Sequence, residues 1–244
     1  MKYLRSLAKE ERETWPGYFA GLRYAVLRRV HPKYREQYRL ERLVGPENCW
    51  DELVQYQFNI LTRVGVQPQH SLLDIGCGAL TTGLKLIPYL DRGNYVGVDL
   101  RPQPLIEAYR LIAKHALVAK NPTLINSQSF GQEEIGSRVF DFVWMSQLSY
   151  HLDDAQMVKL FEQAHARLKP GGTLVFDIME PDRILPPGSQ WSGFTFHLRP
   201  LEYYAALARR LGFAMESRGR IVEFGYPKRI DLHTNLLLTF RKAA

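Results

Sequence analysis

The chain has 244 residues, 45% apolar and 23% charged, an ordinary globular composition that excludes a collagen-like, coiled-coil or mostly disordered protein. No apolar run approaches the roughly 18 residues of a membrane span, and residues 1–13 lack an apolar centre and a small-residue cleavage site, so a soluble, cytoplasmic protein is expected. The net charge of +7 is uneven: residues 1–45 hold 11 of the 32 Lys/Arg but 5 of the 25 Asp/Glu, so the positive field belongs to the N-terminal part.

Residues 1–65 read as a helical extension and 66–244 as the main domain. Within the extension, 15–44 is predicted helical, with Phe19, Leu22, Val26, Leu27 and Val30 on one apolar stripe. Pro32 interrupts it, because proline disfavours helix in the residue before it. A second segment interleaves Tyr34 and Tyr38 with basic residues and stops at Gly45-Pro46. Residues 49–64 form a third helix with Trp50, Leu53, Phe58 and Leu61 inward.

From Ser71 short apolar strands alternate with amphipathic helices, the signature of a parallel sheet covered on both faces. Strands are predicted at 71–75, 94–99, 123–126, 139–145 and 173–178. Leu105, Tyr109, Ile112 and Ala116 line one helix; Met157, Leu160, Ala164 and Leu168 line another, opened by an Asp153–Gln156 capping pair. Lys169-Pro170-Gly171-Gly172 is a turn signal, and 180–196 is a long Pro- and Gly-rich loop. A last helix takes Pro200 as its first position and Gly212 just past its end, with two more strands at 213–217 and 233–240. The fold class is α/β, a doubly wound, mostly parallel, seven-stranded Rossmann-like sheet.

The chemistry concentrates at Leu72-Leu73-Asp74-Ile75-Gly76-Cys77-Gly78, a strand running through two glycines into a helix. Gly76 and Gly78 let the backbone turn sharply and approach a ligand. Asp99 closes the second strand, where an acid can accept from ribose hydroxyls. The third glycine of a dinucleotide fingerprint is due at Thr81 and is absent, and no Lys-Ser/Thr pair completes a phosphate loop. Asp74 would repel a pyrophosphate and suits a cationic amino-acid moiety.

These residues resemble the class I S-adenosylmethionine-dependent methyltransferases of small-molecule type, over roughly 71–241. Asp74-Ile75-Gly76-Cys77-Gly78 is similar to their glycine motif and Asn94-Tyr95-Val96-Gly97-Val98-Asp99 to their ribose-binding strand. Phe140-Asp141-Phe142-Val143-Trp144 is similar to their fourth strand, and Leu168-Lys169-Pro170-Gly171-Gly172-Thr173-Leu174 to the turn before their fifth. The resemblance implies S-adenosylmethionine as cofactor, with Asp74, Gly76, Cys77 and Gly78 at its methionine part, Asp99 at the ribose and Leu100 on the adenine. After the third strand many relatives carry an acid for the adenine amine; here Asn126-Ser127-Gln128-Ser129-Phe130 has none, leaving Ser129 and Phe130. The usual third glycine is replaced by Leu80.

By the same resemblance, Met145-Ser146-Gln147-Leu148-Ser149-Tyr150-His151 lies beside the sulfonium, with Ser146 and Gln147 at the cofactor. His151 is the candidate general base, since its ordinary pKa sits near neutrality, and Tyr150 the candidate pocket hydroxyl; each also fits plain packing. Tyr18, Tyr34, Tyr38, Asp177 and His197 are the candidate substrate contacts, with Glu180 a further acid. The extension is expected to act as a lid over an aromatic or anionic acceptor. The proline tetrad of amine-methylating DNA enzymes is missing. No metal is expected: the strand end lacks the acid of metal-dependent relatives, Asp153-Asp154 reads as a helix cap, and no Cys/His set has zinc spacing. The expected activity is methyl transfer to a small molecule of specialised or glycan metabolism, to oxygen rather than nitrogen. The alternatives are an RNA methyltransferase using the basic N-terminal helices, against which no RNA-binding module is present, and a non-catalytic cofactor-binding protein docking on a membrane or partner.

Overall fold

The structure, a computed structural model, describes residues 24–131, 133–181, 190–191 and 194–244. Tyr18, together with Trp15, Phe19 and Leu22, lies outside the described residues, as do 182–189 and 192–193 of the long loop. The chain divides into two compact units, Met1–Trp50 and Asp51–Ala244.

In the first unit residues 24–30 are helical, and His31 is extended ahead of α1 (Pro32–Val44), which carries proline in its first turn. Glu41 is the hub of this unit. Its carboxylate accepts from the backbone N–H groups of Asn48, Cys49 and Trp50, each at 2.8 Å, and from the Tyr24 hydroxyl. Burial and this carboxylate push the Tyr24 phenol up. These N–H groups begin the next helix, α2 (Trp50–Arg63), so an acid nine residues upstream supplies its anionic cap. Tyr34 meets Tyr24 edge-on at 6.1 Å, and Tyr38 lies under the Arg28 guanidinium at 4.0 Å. Val26 and Val30, on the apolar stripe, are 55% and 68% exposed.

The second unit holds a seven-stranded sheet: β1 (Leu72–Ile75), β2 (Tyr95–Asp99), β3 (Thr123–Asn126), β4 (Phe140–Met145), β5 (Leu168–Ile178), β8 (Phe213–Arg220) and β9 (Leu236–Lys242). Its order is β3-β2-β1-β4-β5-β9-β8, with β9 antiparallel to both neighbours and the other pairings parallel. The α/β class and seven-stranded sheet expected from sequence are therefore present. β6 (Gln190–Trp191) and β7 (Phe194–Thr195) form a separate short hairpin. β1 and β2 are buried at every position because helices cover both faces. The connecting helices are α3 (Gly83–Tyr89), α4 (Pro102–Lys114), α5 (Asp154–Arg167) and α6 (Leu201–Leu211). Phe161 of α5 meets Phe176 and Phe240 edge-to-face at 4.9 and 5.4 Å, at the centre of the core.

Several expected details shift. On α4 the inward stripe is Leu105, Ala108, Leu111 and Ile112, whereas Tyr109 turns outward at 56% exposure and Ala116 lies beyond the helix end. The capping box of α5 forms as read, with Asp153 and Gln156 exchanging bonds of 2.8 and 3.0 Å. Pro200 is the extended residue before α6, one place earlier than expected, and Gly212 ends that helix at φ +76°. Lys169–Gly172 does not separate a helix from a strand. It is a bulge inside β5, since Phe140 pairs with Leu168 and Phe142 already with Thr173. Among the described residues no helix is long and apolar enough to cross a membrane.

Candidate active site

The sheet changes winding direction between β1 and β4, and open α/β sheets bind ligands beyond the C-terminal strand ends at such a switch. β1 leads there into Gly76-Cys77-Gly78. Gly76 and Gly78 adopt φ +78° and +53°, the left-handed region that glycine enters without strain. The N–H groups of Gly76 and Cys77 donate to the Val98 carbonyl at 2.8 and 3.1 Å, tying the turn to β2. Gly78 N–H donates to Asp99 Oδ2 at 2.9 Å and Arg101 N–H to Oδ1 at 2.8 Å, which fixes the carboxylate's orientation. Gly76 is exposed, and Leu100, next to Asp99, leaves 49% of its surface open. Leu80, standing for the third glycine, is itself left-handed at φ +68° and fully buried. A Cβ on Gly83 would come within 2.6 Å of Leu80 Cδ2, so the missing glycine has a counterpart three residues on.

Beneath the turn lies a second, closed set. Asp74 is 2% exposed and accepts from the Tyr95 hydroxyl at 2.6 Å. Burial pushes its carboxyl up to about 7, against the pull of hydrogen bonds from Tyr95 and Thr82. Trp144 Nε1 donates to Thr82 Oγ1 at 3.0 Å, and Thr82 donates to the Gln57 side chain. Cys77 packs on Gly97, where a Cβ would stand 2.9 Å from its Sγ, and burial raises its thiol.

Beyond β3, Ser129 N–H donates to Ser127 Oγ at 3.2 Å, and the two hydroxyls meet at 3.2 Å. Ser127 Oγ also donates to Glu134 Oε2 at 3.2 Å. An acid therefore reaches this position from seven residues downstream. Phe130 is part-buried with φ +55°.

Beyond β4, Ser146 Oγ and Tyr56 Oη are 2.8 Å apart. Gln147, at φ +53°, donates its backbone N–H to Asp177 Oδ1 at 2.6 Å and its Nε2 to the Tyr226 hydroxyl at 2.8 Å. Tyr56 and Tyr226 meet edge-on at 4.9 Å. His151 sits against Tyr150 at 4.8 Å and Phe196 at 4.9 Å, and burial lowers its imidazole to about 4, so it is neutral at pH 7. His197 is bound to this turn through its N–H to the Tyr150 carbonyl at 2.7 Å. The same turn is pinned by Arg199, 5% exposed, which donates to the Leu152 carbonyl at 2.6 Å and to Asp154 Oδ1 at 2.7 Å.

Residues 73–174 match a family model described as a methyltransferase domain. A candidate methyltransferase from Geobacillus sp. (strain WCH70) is 30% identical over 137 residues, 55% of this chain and 51% of that protein. The chain thus spans about half the length of this curated relative. An O-methyltransferase family protein from Burkholderia thailandensis is similar in structure, with a TM-score of 0.58 at 18% identity over 91% of this chain and 62% of that one. The magnesium protoporphyrin IX methyltransferase of Synechocystis PCC 6803, solved with bound SAM, gives 0.60 at 13% identity over 90% and 97%. At such identities the structures establish the shared fold.

The fold brings Gly76, Gly78, Asp99 and Leu100 together at one strand-end mouth, with Ser146 and Gln147 across the β1/β4 switch. Other candidates lie deeper in the fold. Asp74 lies under the turn with an oxygen already bonded, so it does not present an open carboxylate to an amino group. The Cys77 side chain is a buried spacer, leaving only its backbone near the mouth. Tyr150 is 1% exposed and its phenol is raised by burial. Asp177, a candidate substrate contact, is 1% exposed and accepts from Gln147 N–H and Asn235 Nδ2. Glu180 pairs with Arg220. Tyr34 and Tyr38 belong to the first unit, where their rings contact Tyr24, His31 and Arg28. Sequence reasoning missed Tyr56, Glu134, Arg199, Tyr226 and Asn235. No local spacing marks them, because each reaches its partner across a long stretch of chain or, for Glu134, across a turn.

Among the described residues no group of three or more His, Cys, Asp or Glu side chains is placed to hold a metal ion.

Proposed function

We propose that the chain is an S-adenosylmethionine-dependent methyltransferase acting on a small-molecule acceptor, oxygen in preference to nitrogen. The observation that carries this reading is the Gly78–Asp99 joint: a side-chain-free turn and a fixed carboxylate, set side by side at the switch point of the sheet. The residues suit that cofactor. Gly76 and Gly78 leave room for the methionine part, Asp99 would accept from the ribose hydroxyls, and the open Leu100 would pack on the adenine. Glu134, drawn to Ser127 beside Ser129 and Phe130, would take the adenine amine.

When bound, S-adenosylmethionine supplies an electrophilic methyl on a sulfonium. The chain's part is to hold the acceptor in line with it and keep water out. Ser146, Gln147 and Leu148 border the acceptor in this reading. Preference for oxygen is supported by the neutral hydrogen-bonding groups there, Ser146 and Gln147 backed by Tyr56 and Tyr226, while the nearby carboxylate of Asp177 is committed to the protein. His151 is neutral at pH 7 and only weakly basic. That is enough for a proton released as the acceptor oxygen gains its methyl, because an alkylated hydroxyl is strongly acidic. The N-terminal unit, with Tyr34, Tyr38 and its arginines, is proposed as a lid favouring an aromatic or anionic acceptor, and His197 as a further substrate contact.

The test is calorimetric binding of S-adenosylmethionine, followed by incubation of the methyl-labelled cofactor with a source-cell extract. Binding that is lost in Asp99→Ala, with label in the small-molecule filtrate, supports the reading. No binding overturns it. Label retained and released by ribonuclease would replace the small-molecule acceptor by RNA.

A further inference from the structure

β5 ends at Asp177-Ile178, beside the segment that follows β4. The Asp177 carboxylate divides its oxygens between two distant partners. Oδ1 accepts from Gln147 N–H at 2.6 Å and Oδ2 from Asn235 Nδ2 at 2.8 Å. Its backbone carbonyl accepts from the Ser149 hydroxyl at 2.6 Å. One residue therefore fastens both ends of 147–149.

That segment requires fastening. Gln147 has φ +53°, a strained region for any residue with a Cβ. Leu148 projects over the glycine turn, 3.5 Å from where a Cβ on Gly76 would stand. The loop thus spans from the acceptor side to the glycine turn, and its backbone shape sets both contacts. A buried carboxylate is costly unless compensated, and Asp177 is compensated by donors: it makes no ion pair among the described residues. The titratable groups around it are phenols, Tyr56 from α2, Tyr150 after β4, and Tyr226 against Tyr56; its charge adds to the burial that raises Tyr56 and Tyr150.

We propose that Asp177 is a positioning residue for methyl transfer, holding 146–149 in the backbone shape that presents Ser146, Gln147 and Leu148 to the acceptor without itself touching substrate. This rests on the reading that the segment after β4 borders the acceptor. Burial pushes the Asp177 carboxyl up to about 6. Acidification from pH 7 to 5 therefore places a proton on an oxygen that faces a donor and releases one arm of the clamp.

Hydrogen exchange on the full chain tests this at pH 7.5, in the wild type, Asp177→Asn and Asn235→Leu, alongside calorimetry with S-adenosylhomocysteine. Exchange at residues 147–149 should accelerate about tenfold or more in each variant that keeps the wild-type circular dichroism. S-adenosylhomocysteine affinity should stay within about threefold. Asn235→Leu carries the test should Asp177→Asn fail to fold. In the wild type, protection corrected for intrinsic exchange should fall between pH 7 and 5, and Asp177→Asn should lack that step. Unchanged exchange in folded variants overturns the proposal, as does a loss of S-adenosylhomocysteine affinity in step with the faster exchange, which marks a general structural role. A wild type that does not bind S-adenosylhomocysteine removes the functional reading and the positioning role with it, whatever the exchange shows.

Discussion

The two sides of the candidate site are built by different means. The glycine side, from β1 to the end of β2, is tied together by backbone N–H groups, a carbonyl and a single carboxylate, all between Gly76 and Arg101. The acceptor side is tied by side chains from five separate places, Tyr56, Gln147, Asp177, Tyr226 and Asn235. The first depends on backbone shape, so few residue types serve. The second depends on pairings that other side chains could replace. A fold can keep its cofactor turn nearly fixed while the acceptor side varies.

The largest effect should come from the glycine side. Asp99→Ala removes the acceptor for Gly78 and for the ribose hydroxyls, and should weaken S-adenosylmethionine binding about a thousandfold by calorimetry. If binding survives, the contrast between the two sides collapses.

Asp74→Asn should raise stability, and by more at pH 8 than at pH 5. The carboxyl titrates at about 7 when folded, against about 4 unfolded. The folded chain therefore holds its proton longer, stability falls as pH rises from about 4 to 7, and the amide removes that loss. Denaturant melts should show a gain of up to about 4 kcal/mol at pH 8. Equal gains at both pH values would mean that the carboxyl does not titrate in this range.

On the acceptor side, His151→Asn should lower kcat about a hundredfold while leaving cofactor affinity unchanged, if the imidazole takes the released proton. An unchanged kcat would reduce His151 to its packing against Phe196. Tyr226→Phe removes the bond to Gln147 Nε2 and should cost about 1 kcal/mol in a denaturant melt.

The smallest effect sharpens the glycine side itself. Leu80 and Gly83 share one space, so Leu80→Gly and Gly83→Ala should not add. The double variant should be about 1 kcal/mol more stable than the sum of the single changes predicts, measured as a double-mutant cycle. Simple additivity would mean that the two positions relax independently.

These differences also explain what the sequence disclosed. The turn at Gly76–Gly78 and the acid at Asp99 were legible because glycine spacing and strand ends are local properties. The α5 capping box was legible for the same reason. Asn235 and Tyr226 were not, because they meet Asp177 and Gln147 only after β9 has folded back against β5. Glu134 escaped because it reaches Ser127 only across a turn, seven residues downstream. Lys169–Gly172 shows a different limit: its residues announce a bend but not whether pairing with β4 resumes beyond it. Val26, Val30 and Tyr109 fit helical stripes, yet periodicity names a face without saying which side is covered.

The β5 bulge offers a practical use. It lies at the opposite end of β4 from the site, six strand residues or about 20 Å away. Lys169 is anchored to Asp141 at 2.7 Å, and Gly171 N–H reaches the Ala243 carbonyl at 3.2 Å, while Pro170 between them stands exposed. The two native thiols, Cys49 and Cys77, are both buried. A Pro170→Cys variant would therefore present one reactive sulfur to a maleimide dye, an optical handle for following ligand binding from outside the cleft.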